Sequence, residues 1–299
     1  DDWKKDSERR DFTINAIYLD QRGKIFDPQS GFEDLKNKKI KFIGDPNQRI
    51  KEDYLRILRF IRFSIQYKNF NLSSDIQKAI EINLSGITKL SRERIYSELE
   101  KIIKLENFED IFKSEFLLNI FKLIFPEFKY IDRVKNFQKI RKIGKLLLEQ
   151  DIILSSILID QTNNWQYFSH KYNISNDLKN NLSFYSETLK EIYQNKDFFK
   201  KDLKKNIFYH GKKKIKSLFL IFILVEGKIS KSKLNNLFLE IDKILIPILP
   251  INGKNLLEKG VKEGKMVGEI LKKAEKKWID NNFKLNDEEL NNILKKYLV

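Results

Sequence analysis

Apolar and polar residues alternate most clearly near the start of the chain. Phe12 to Leu19, with Phe12, Thr13, Ile14, Ile17 and Tyr18, reads as a strand. Asp20-Gln21-Arg22-Gly23 reads as a turn and Lys24-Ile25-Phe26 as a short return strand, together a hairpin signature. Asp27 to Gly31 is a loop, Phe32 to Lys36 a helical turn, and Ile40 to Ile43 a further extended piece before the break at Gly44-Asp45-Pro46-Asn47. From Gln48 onward the apolar spacing turns helical. It predicts helices over 51–67, 73–83, 91–105, 108–114, 116–124, 130–149 and 151–160, then more helices to the end. Asn-rich joints such as Gln161-Thr162-Asn163-Asn164 separate them, and no repeat of fixed period is visible. The predicted fold class is α+β: a small β-hairpin unit followed by a long all-α body.

The helix predicted over 51–67 is strongly two-sided. At ~100° per residue with Asp53 at zero, Arg56, Arg59 and Arg62 fall at about 300°, 240° and 180°. Tyr54, Ile57, Leu58, Ile61 and Ile65 fall between about 40° and 140°. Glu52 and Asp53 would sit in the first turn, where negative charge suits the helix dipole. An ordinary amphipathic helix with a solvated basic face fits this pattern. So does an edge-reading pair, in which a carboxylate accepts from an exocyclic amine and a guanidinium donates to a ring nitrogen or carbonyl.

The use of arginine separates these readings. The chain of 299 residues carries 58 basic side chains, of which 11 are Arg, and nine of the 11 precede residue 95. Lysine supplies charge almost everywhere else, whereas the planar guanidinium fork suits phosphate oxygens and base edges. A formal net charge of +16 points to a polyanionic partner, although a Lys-rich surface from a biased genome gives the same sum. There is no cysteine, so disulfides and thiolate metal sites are excluded. The longest apolar run, Leu218 to Val225, is far short of the ~20 residues of a membrane span. We therefore expect a cytoplasmic protein without a membrane partner.

Several motifs occur in order: Arg9-Arg10-Asp11-Phe12-Thr13-Ile14-Asn15-Ala16, Asp27-Pro28-Gln29-Ser30-Gly31, Asp34-Leu35, Ile43-Gly44-Asp45-Pro46 and Glu52-Asp53-Tyr54-Leu55-Arg56-Ile57-Leu58-Arg59. They are followed by Ser91-Arg92-Glu93-Arg94-Ile95 with Glu98, and near the end by Pro250-Ile251-Asn252-Gly253-Lys254-Asn255-Leu256-Leu257, Gly260 and Gly264 to Leu271. This series resembles the class II tRNA nucleotidyltransferases, the CCA-adding enzymes and their relatives the bacterial poly(A) polymerases. The middle, about 105–245, carries no motif that can be placed. Two departures lie beside the motifs: Ser30-Gly31 where the family often has Gly-Gly, and Tyr54 where it often has Pro.

The resemblance implies an enzyme that adds the 3′-terminal CCA to tRNA from CTP and ATP on a template of protein side chains. It implies base pairing by Asp53 and Arg56, triphosphate and ribose contacts from Arg10 with Asp11 and Asn15, and a nucleotide site lined further by Arg59 and Arg62. It also implies a layout of 1–47 as the C-terminal part of a nucleotidyltransferase palm, 48–105 as a base-reading neck, 106–230 as a helical body and 231–299 as a tRNA-binding tail. The reaction needs divalent metal, normally Mg2+, held by carboxylates. In the family an Asp-x-Asp supplies them, and no Asp-x-Asp occurs in this chain. We therefore expect no catalytic or metal-ligating residue here. The missing palm segment would belong to a longer parent or a second polypeptide, in keeping with a chain that starts Asp1-Asp2-Trp3-Lys4-Lys5 without Met. A poly(A) polymerase, and an RNA-binding fragment or subunit with no catalysis of its own, are the alternatives.

Other features are weaker. His170 and His210 lie 40 positions apart without acidic partners at ligand spacing, which excludes an appended metal phosphohydrolase domain. Lys200-Lys201, Lys204-Lys205 and Lys212-Lys213-Lys214 form a basic band that either follows RNA phosphates or is plain solvated charge. Gly260 to Gly264 is either an amide-lined phosphate loop or a helix–helix turn. Trp3, Trp165 and Trp278 are scattered and read as packing residues. The oligomeric state is not encoded in any of these patterns.

Overall fold

A computed structural model describes residues 2–143, 148–295 and 297. The chain divides into two compact units, Asp1–Lys190 with Leu218–Lys231, and Glu191–Ser217 with Ser232–Val299. In the first unit the order is α1 (Asp2–Arg9), strands β1 (Tyr18–Leu19) and β2 (Ile25–Phe26), then α2 (Gly31–Lys36), α3 (Pro46–Glu52), α4 (Leu55–Tyr67), α5 (Ser74–Asn83), α6 (Arg92–Ile103), α7 (Glu115–Ile124), α8 (Phe137–Lys142), α9 (Gln150–Leu158) and α10 (Asn164–Tyr172). Helices α11 (Asn176–Gln194) and α12 (Leu203–Glu226) contribute residues to both units. The helices α13 (Lys231–Lys243), α14 (Gly253–Glu258), α15 (Lys265–Asp280) and α16 (Asp287–Leu294) follow.

The antiparallel hairpin pairs Tyr18 with Phe26 and Leu19 with Ile25. Asp20 closes its turn by accepting from the amides of Arg22 (2.9 Å) and Lys24 (2.7 Å), with Gly23 at φ 79°. The strand expected over Phe12–Leu19 is interrupted. Phe12 makes a single antiparallel bridge to Phe42, Thr13–Asn15 is a 3-10 turn, and strand geometry returns at Tyr18. Packing explains the break: the Phe12 ring is fully buried against Phe42, Phe60 and Phe63, which turns the chain inward there. The extended piece at Ile40–Ile43 is the partner in that bridge.

The helix expected over 51–67 is two helices. Asp45 caps α3 by accepting from the Gln48 amide at 2.8 Å, with Pro46 at the first turn. The chain leaves the helix at Asp53 (φ −154°, ψ 105°) and resumes at Leu55. Asp53 is therefore not in the first turn of the arginine helix, and its angle on the wheel does not apply. Ile57, Leu58, Ile61 and Ile65 are buried along α4 as expected, but so are Phe60 and Phe63 on the arginine side, so the apolar and charged sides do not separate. Gly86 lets Tyr54 pack at the joint, since a Cβ there would lie 2.1 Å from the Tyr54 ring.

The stretch 130–149 is likewise not one helix. A 3-10 turn at Ile131–Asn136 precedes α8, which ends at Lys142, and residues 144–147 lie outside the described residues. Around it, Phe108, Phe121, Phe125, Phe128, Phe168 and Tyr172 form a buried aromatic core. In the second unit Ile251, Leu256, Val261, Ile270, Ala274, Leu290 and Leu294 form one core, and Trp278, Ile279 and Phe283 form another with Phe208. The Asn252–Asn255 motif is the capping box of α14, with reciprocal bonds of 3.1 and 3.0 Å. Gly260–Gly264 joins α14 to α15, and the amides of Gly260 and Val261 bond back to the carbonyls of Leu257 and Leu256.

Candidate nucleotide site

An open cavity of about 510 Å³ lies between the end of α1, the 3-10 turn after it, the α3–α4 joint and the start of α6. Its walls carry Arg9, Arg10, Asp11, Asn15, Asp53, Leu55, Arg56, Arg59, Phe63 and Arg94. Five guanidinium groups face two carboxylates, so the cavity favours an anion.

Each acid and base is held by specific partners. Asp11 is almost buried; its Oδ1 accepts from the Phe12 amide (3.0 Å) and Asn15 Nδ2 (2.8 Å), and its Oδ2 accepts from Arg59 Nε. Burial alone would push the Asp11 carboxyl up, but the bonds from Arg59 and Asn15 outweigh it and hold the group below the usual carboxylate range. Arg10 donates through Nε and Nη2 to Asp6 Oδ2 at 3.0 and 2.7 Å. The same oxygen accepts from the Tyr18 hydroxyl at 2.8 Å, and these bonds hold the Asp6 carboxyl low.

The α3–α4 joint aims two groups at the cavity. Arg56 Nη1 donates to Glu52 Oε2 and to the Arg49 carbonyl, both at 2.6 Å. Glu52 also takes Arg49 Nη1 at 2.7 Å, and its hydrogen bond with Arg56 is the main reason its carboxyl is held low. Arg49 in turn donates to the Arg10 carbonyl, tying the joint to the Arg-Arg-Asp segment. Asp53 Oδ1 accepts from the Leu55 amide (3.1 Å), and Oδ2 accepts from Arg94 Nη2 (2.8 Å).

Six of the seven residues expected at the site thus share one cavity: Arg10, Asp11, Asn15, Asp53, Arg56 and Arg59. Arg62 does not line it. Its Nε donates to Glu98 Oε1 at 2.5 Å, and its guanidinium lies 4.0 Å from the Phe63 ring centroid. A 60° retreat per step of three residues carries each arginine of α4 further round the helix. By Arg62 the side chain has reached α6.

Arg94 was missed as a site residue. Its signal was the Ser91-x-x-Arg94 spacing: Ser91 caps α6, and a capping box would want Glu, not Arg, at that third helical position. His170 on α10 and His210 on α12 do not line the cavity; burial pushes the His210 imidazole down. Among the described residues no group of three or more His, Cys, Asp or Glu side chains could hold a metal ion. The two acids that line the cavity, Asp11 and Asp53, are each paired with an arginine. No helix among the described residues is long and apolar enough to cross a membrane.

A family model described as Poly A polymerase head domain matches residues 1–41. A second, described as Probable RNA and SrmB-binding site of polymerase A, matches residues 69–131. The CCA-adding enzyme of Staphylococcus haemolyticus is 33% identical over 285 residues, covering 92% of this chain and 68% of that protein. The CCA-adding enzyme of Ligilactobacillus salivarius is 31% identical over 300 residues, covering 96% and 70%. The human mitochondrial CCA tRNA nucleotidyltransferase 1 is 28% identical over 300 residues, covering 99% and 67%, so the chain spans about two thirds of the length of such relatives. Among solved structures, the Bacillus stearothermophilus CCA-adding enzyme in complex with CTP shares the fold at TM-score 0.66 and 22% identity, covering 98% of this chain and 74% of that one. The Thermotoga maritima enzyme complexed with tRNA does so at TM-score 0.59 and 23% identity, covering 98% and 74%. With the Arg-Arg-Asp, Glu-Asp and Ser91–Ile95 motifs contributing to one arginine-rich cavity, the likeness to the staphylococcal and lactobacillal enzymes establishes that the chain belongs to the CCA-adding enzyme family of nucleotidyltransferases.

Proposed function

We propose that this chain selects and holds the nucleotide in the addition of CCA to the 3′ end of tRNA, with CTP and ATP as substrates, in the cytoplasm. The observation that carries the reading is the pair Asp53 and Arg56, presented from one joint to one cavity wall. Cytosine and adenine share an edge pattern: an exocyclic amine that donates beside a ring nitrogen that accepts. A carboxylate and a guanidinium match it, Asp53 taking the amine and Arg56 donating to the ring nitrogen. Uracil and guanine reverse the pattern, with a carbonyl beside a ring N–H, and would set an oxygen against the Asp53 carboxylate.

Arg10 and Arg59, with Arg9, supply charge for the triphosphate. Asp11 accepts from Arg59, Asn15 and the Phe12 amide, so its role is to aim Arg59 and Asn15 at phosphate and ribose. The metal-bound transfer step needs carboxylates these residues do not provide, and no step through a metal is assigned to them. We assign residues 1–47 to the palm, 48–105 to the neck, 106–230 to the body and 231–299 to the tail.

The acceptor RNA is read through charge. Part of the Lys200–Lys214 band is committed within the fold: Lys201 pairs with Asp197, Lys205 with Asp280, and Lys212 donates to the Asp242 carbonyl at 2.8 Å. The excess of +16 over the whole chain still supports a polyanionic partner.

Equilibrium dialysis of the chain with the four ribonucleoside triphosphates tests the reading. CTP and ATP should bind and UTP and GTP should be rejected, and Arg56→Ala should erase the difference; equal binding of all four would refute it. The descriptions of the two matching family models favour poly(A) polymerase as the second reading. Preference for ATP with no CTP binding would select it.

A further inference from the structure

We infer that Arg94 is a positioning residue for base selection: it fixes the direction in which the Asp53 carboxylate accepts. This rests on the template reading above and adds a residue from a different helix to it.

Asp53 has no helix to hold it, since its backbone is extended between α3 and α4. Two contacts from different elements fix its carboxylate instead. Oδ1 is tied to the Leu55 amide at 3.1 Å, capping α4, and Oδ2 is tied to Arg94 Nη2 at 2.8 Å across 41 residues of sequence. Each oxygen keeps a second lone pair for an incoming amine. With Arg94 absent, the carboxylate would be held by one oxygen and could rotate, and a reading pair must be held to within about 10–20°.

The position of Arg94 in its own helix argues the same way. It occupies the third position of α6, whose Ser91 cap accepts from the Arg94 amide at 3.4 Å. A cation in the first turn opposes the helix dipole, and Glu there would complete the capping box. Local helix chemistry therefore does not account for this side chain. Its contribution to stability is small, because the Arg94 side chain is 50% exposed and Asp53 30% exposed. A residue that is unfavourable for its helix and nearly neutral for the fold is consistent with a role at the cavity it lines.

The test is equilibrium dialysis of CTP and UTP against the wild-type chain, Arg94→Ala and Arg94→Lys, with thermal melts as the folding control. Arg94→Ala should keep its melting temperature, weaken CTP about tenfold and leave UTP unchanged, the size expected when one edge contact is lost. Arg94→Lys, which restores a donor without the planar fork, should recover part of the CTP preference. A CTP-to-UTP ratio in Arg94→Ala within twofold of wild type would overturn the positioning role while leaving the template intact. A wild-type chain that does not prefer CTP over UTP would overturn both. Should Arg94→Ala fail to fold, Arg94→Lys decides by the same ratio.

Discussion

The Arg62–Glu98 pair gives the sharpest division between arginines that hold the fold and those that line the cavity. Glu98 is 1% exposed and takes Arg62 Nε at 2.5 Å on one oxygen and Lys101 Nζ at 3.1 Å on the other. Truncating Arg62 to Ala leaves a buried carboxylate with one partner, a lysine that is itself 53% exposed. Breaking a buried pair from one side costs about 3–5 kcal/mol, and the surviving Lys101 contact brings the estimate to about 3 kcal/mol. At roughly 2–4 °C per kcal/mol for a unit of this size, the melt should fall by about 6–12 °C.

Glu98→Gln in the Arg62→Ala background removes the stranded charge and should recover much of the loss; the double-mutant cycle then isolates the pair. Below its melt, Arg62→Ala should bind CTP within about threefold of wild type, because the side chain does not reach the cavity wall. Melting followed by circular dichroism and CTP binding by calorimetry are read on the same samples. A variant that melts within 2 °C of wild type yet loses CTP would refute the reasoning and make Arg62 a nucleotide contact.

Four further predictions rest on single positions. Ser30 sits at φ 55° at the start of α2, where Gly is at ease, so Ser30→Gly should raise stability by about 1 kcal/mol; Gly31→Ala, whose Cβ would lie 2.0 Å from the Thr13 carbonyl oxygen, should lower it by about 3 kcal/mol, both by chemical denaturation. Gly86→Ala would press on the Tyr54 ring and should weaken CTP binding along with stability, and Tyr54→Ala in the same chain should relieve the strain in a melt. Asp11 titrates below its unfolded value, so its contribution is present above about pH 4 and is lost as pH falls through the lower folded value. The stability gap between wild type and Asp11→Asn should therefore be widest at neutral pH and shrink in acid; a gap independent of pH between 7 and 3 would contradict that assignment.

How much of this was legible in the sequence varied with the range of the cause. The buried side of α4 was readable because Ile57, Leu58, Ile61 and Ile65 obey a local period. The hairpin turn was readable because Asp20 and Gly23 carry its chemistry within four residues. The break at Asp53 was not, since no Pro or Gly marks it; it depends on Tyr54 settling over Gly86, 32 positions away. The 3-10 turn at Thr13–Asn15 was hidden for the same reason: its apolar, β-branched residues favour a strand, and burial of Phe12 against α4 overrides that preference. Of the site, the arginines of α4 and the Arg-Arg-Asp segment could be named. What could not be seen was that Arg62 would find Glu98 before it found the cavity.

The arginines of this region are best understood through the acids that hold them. Arg10 is tied to Asp6, Arg59 to Asp11, Arg56 to Glu52 and Arg94 to Asp53. Arg9 shares Asp6 with Arg10; five guanidiniums crowded into one cavity would repel one another and scatter, whereas paired, each has a defined direction before any ligand arrives. Lysine could balance the same acids, but its single ammonium has no planar fork, so engaging an acid leaves no second donor in a fixed direction. A guanidinium keeps N–H groups facing the cavity after one edge is taken. That is a physical reason for a lysine-rich chain to concentrate nine of its 11 arginines before residue 95. It also separates the members of the set: the Arg62–Glu98 pair stands away from the cavity and belongs to the fold, whereas the Arg59–Asp11 and Arg94–Asp53 pairs line it.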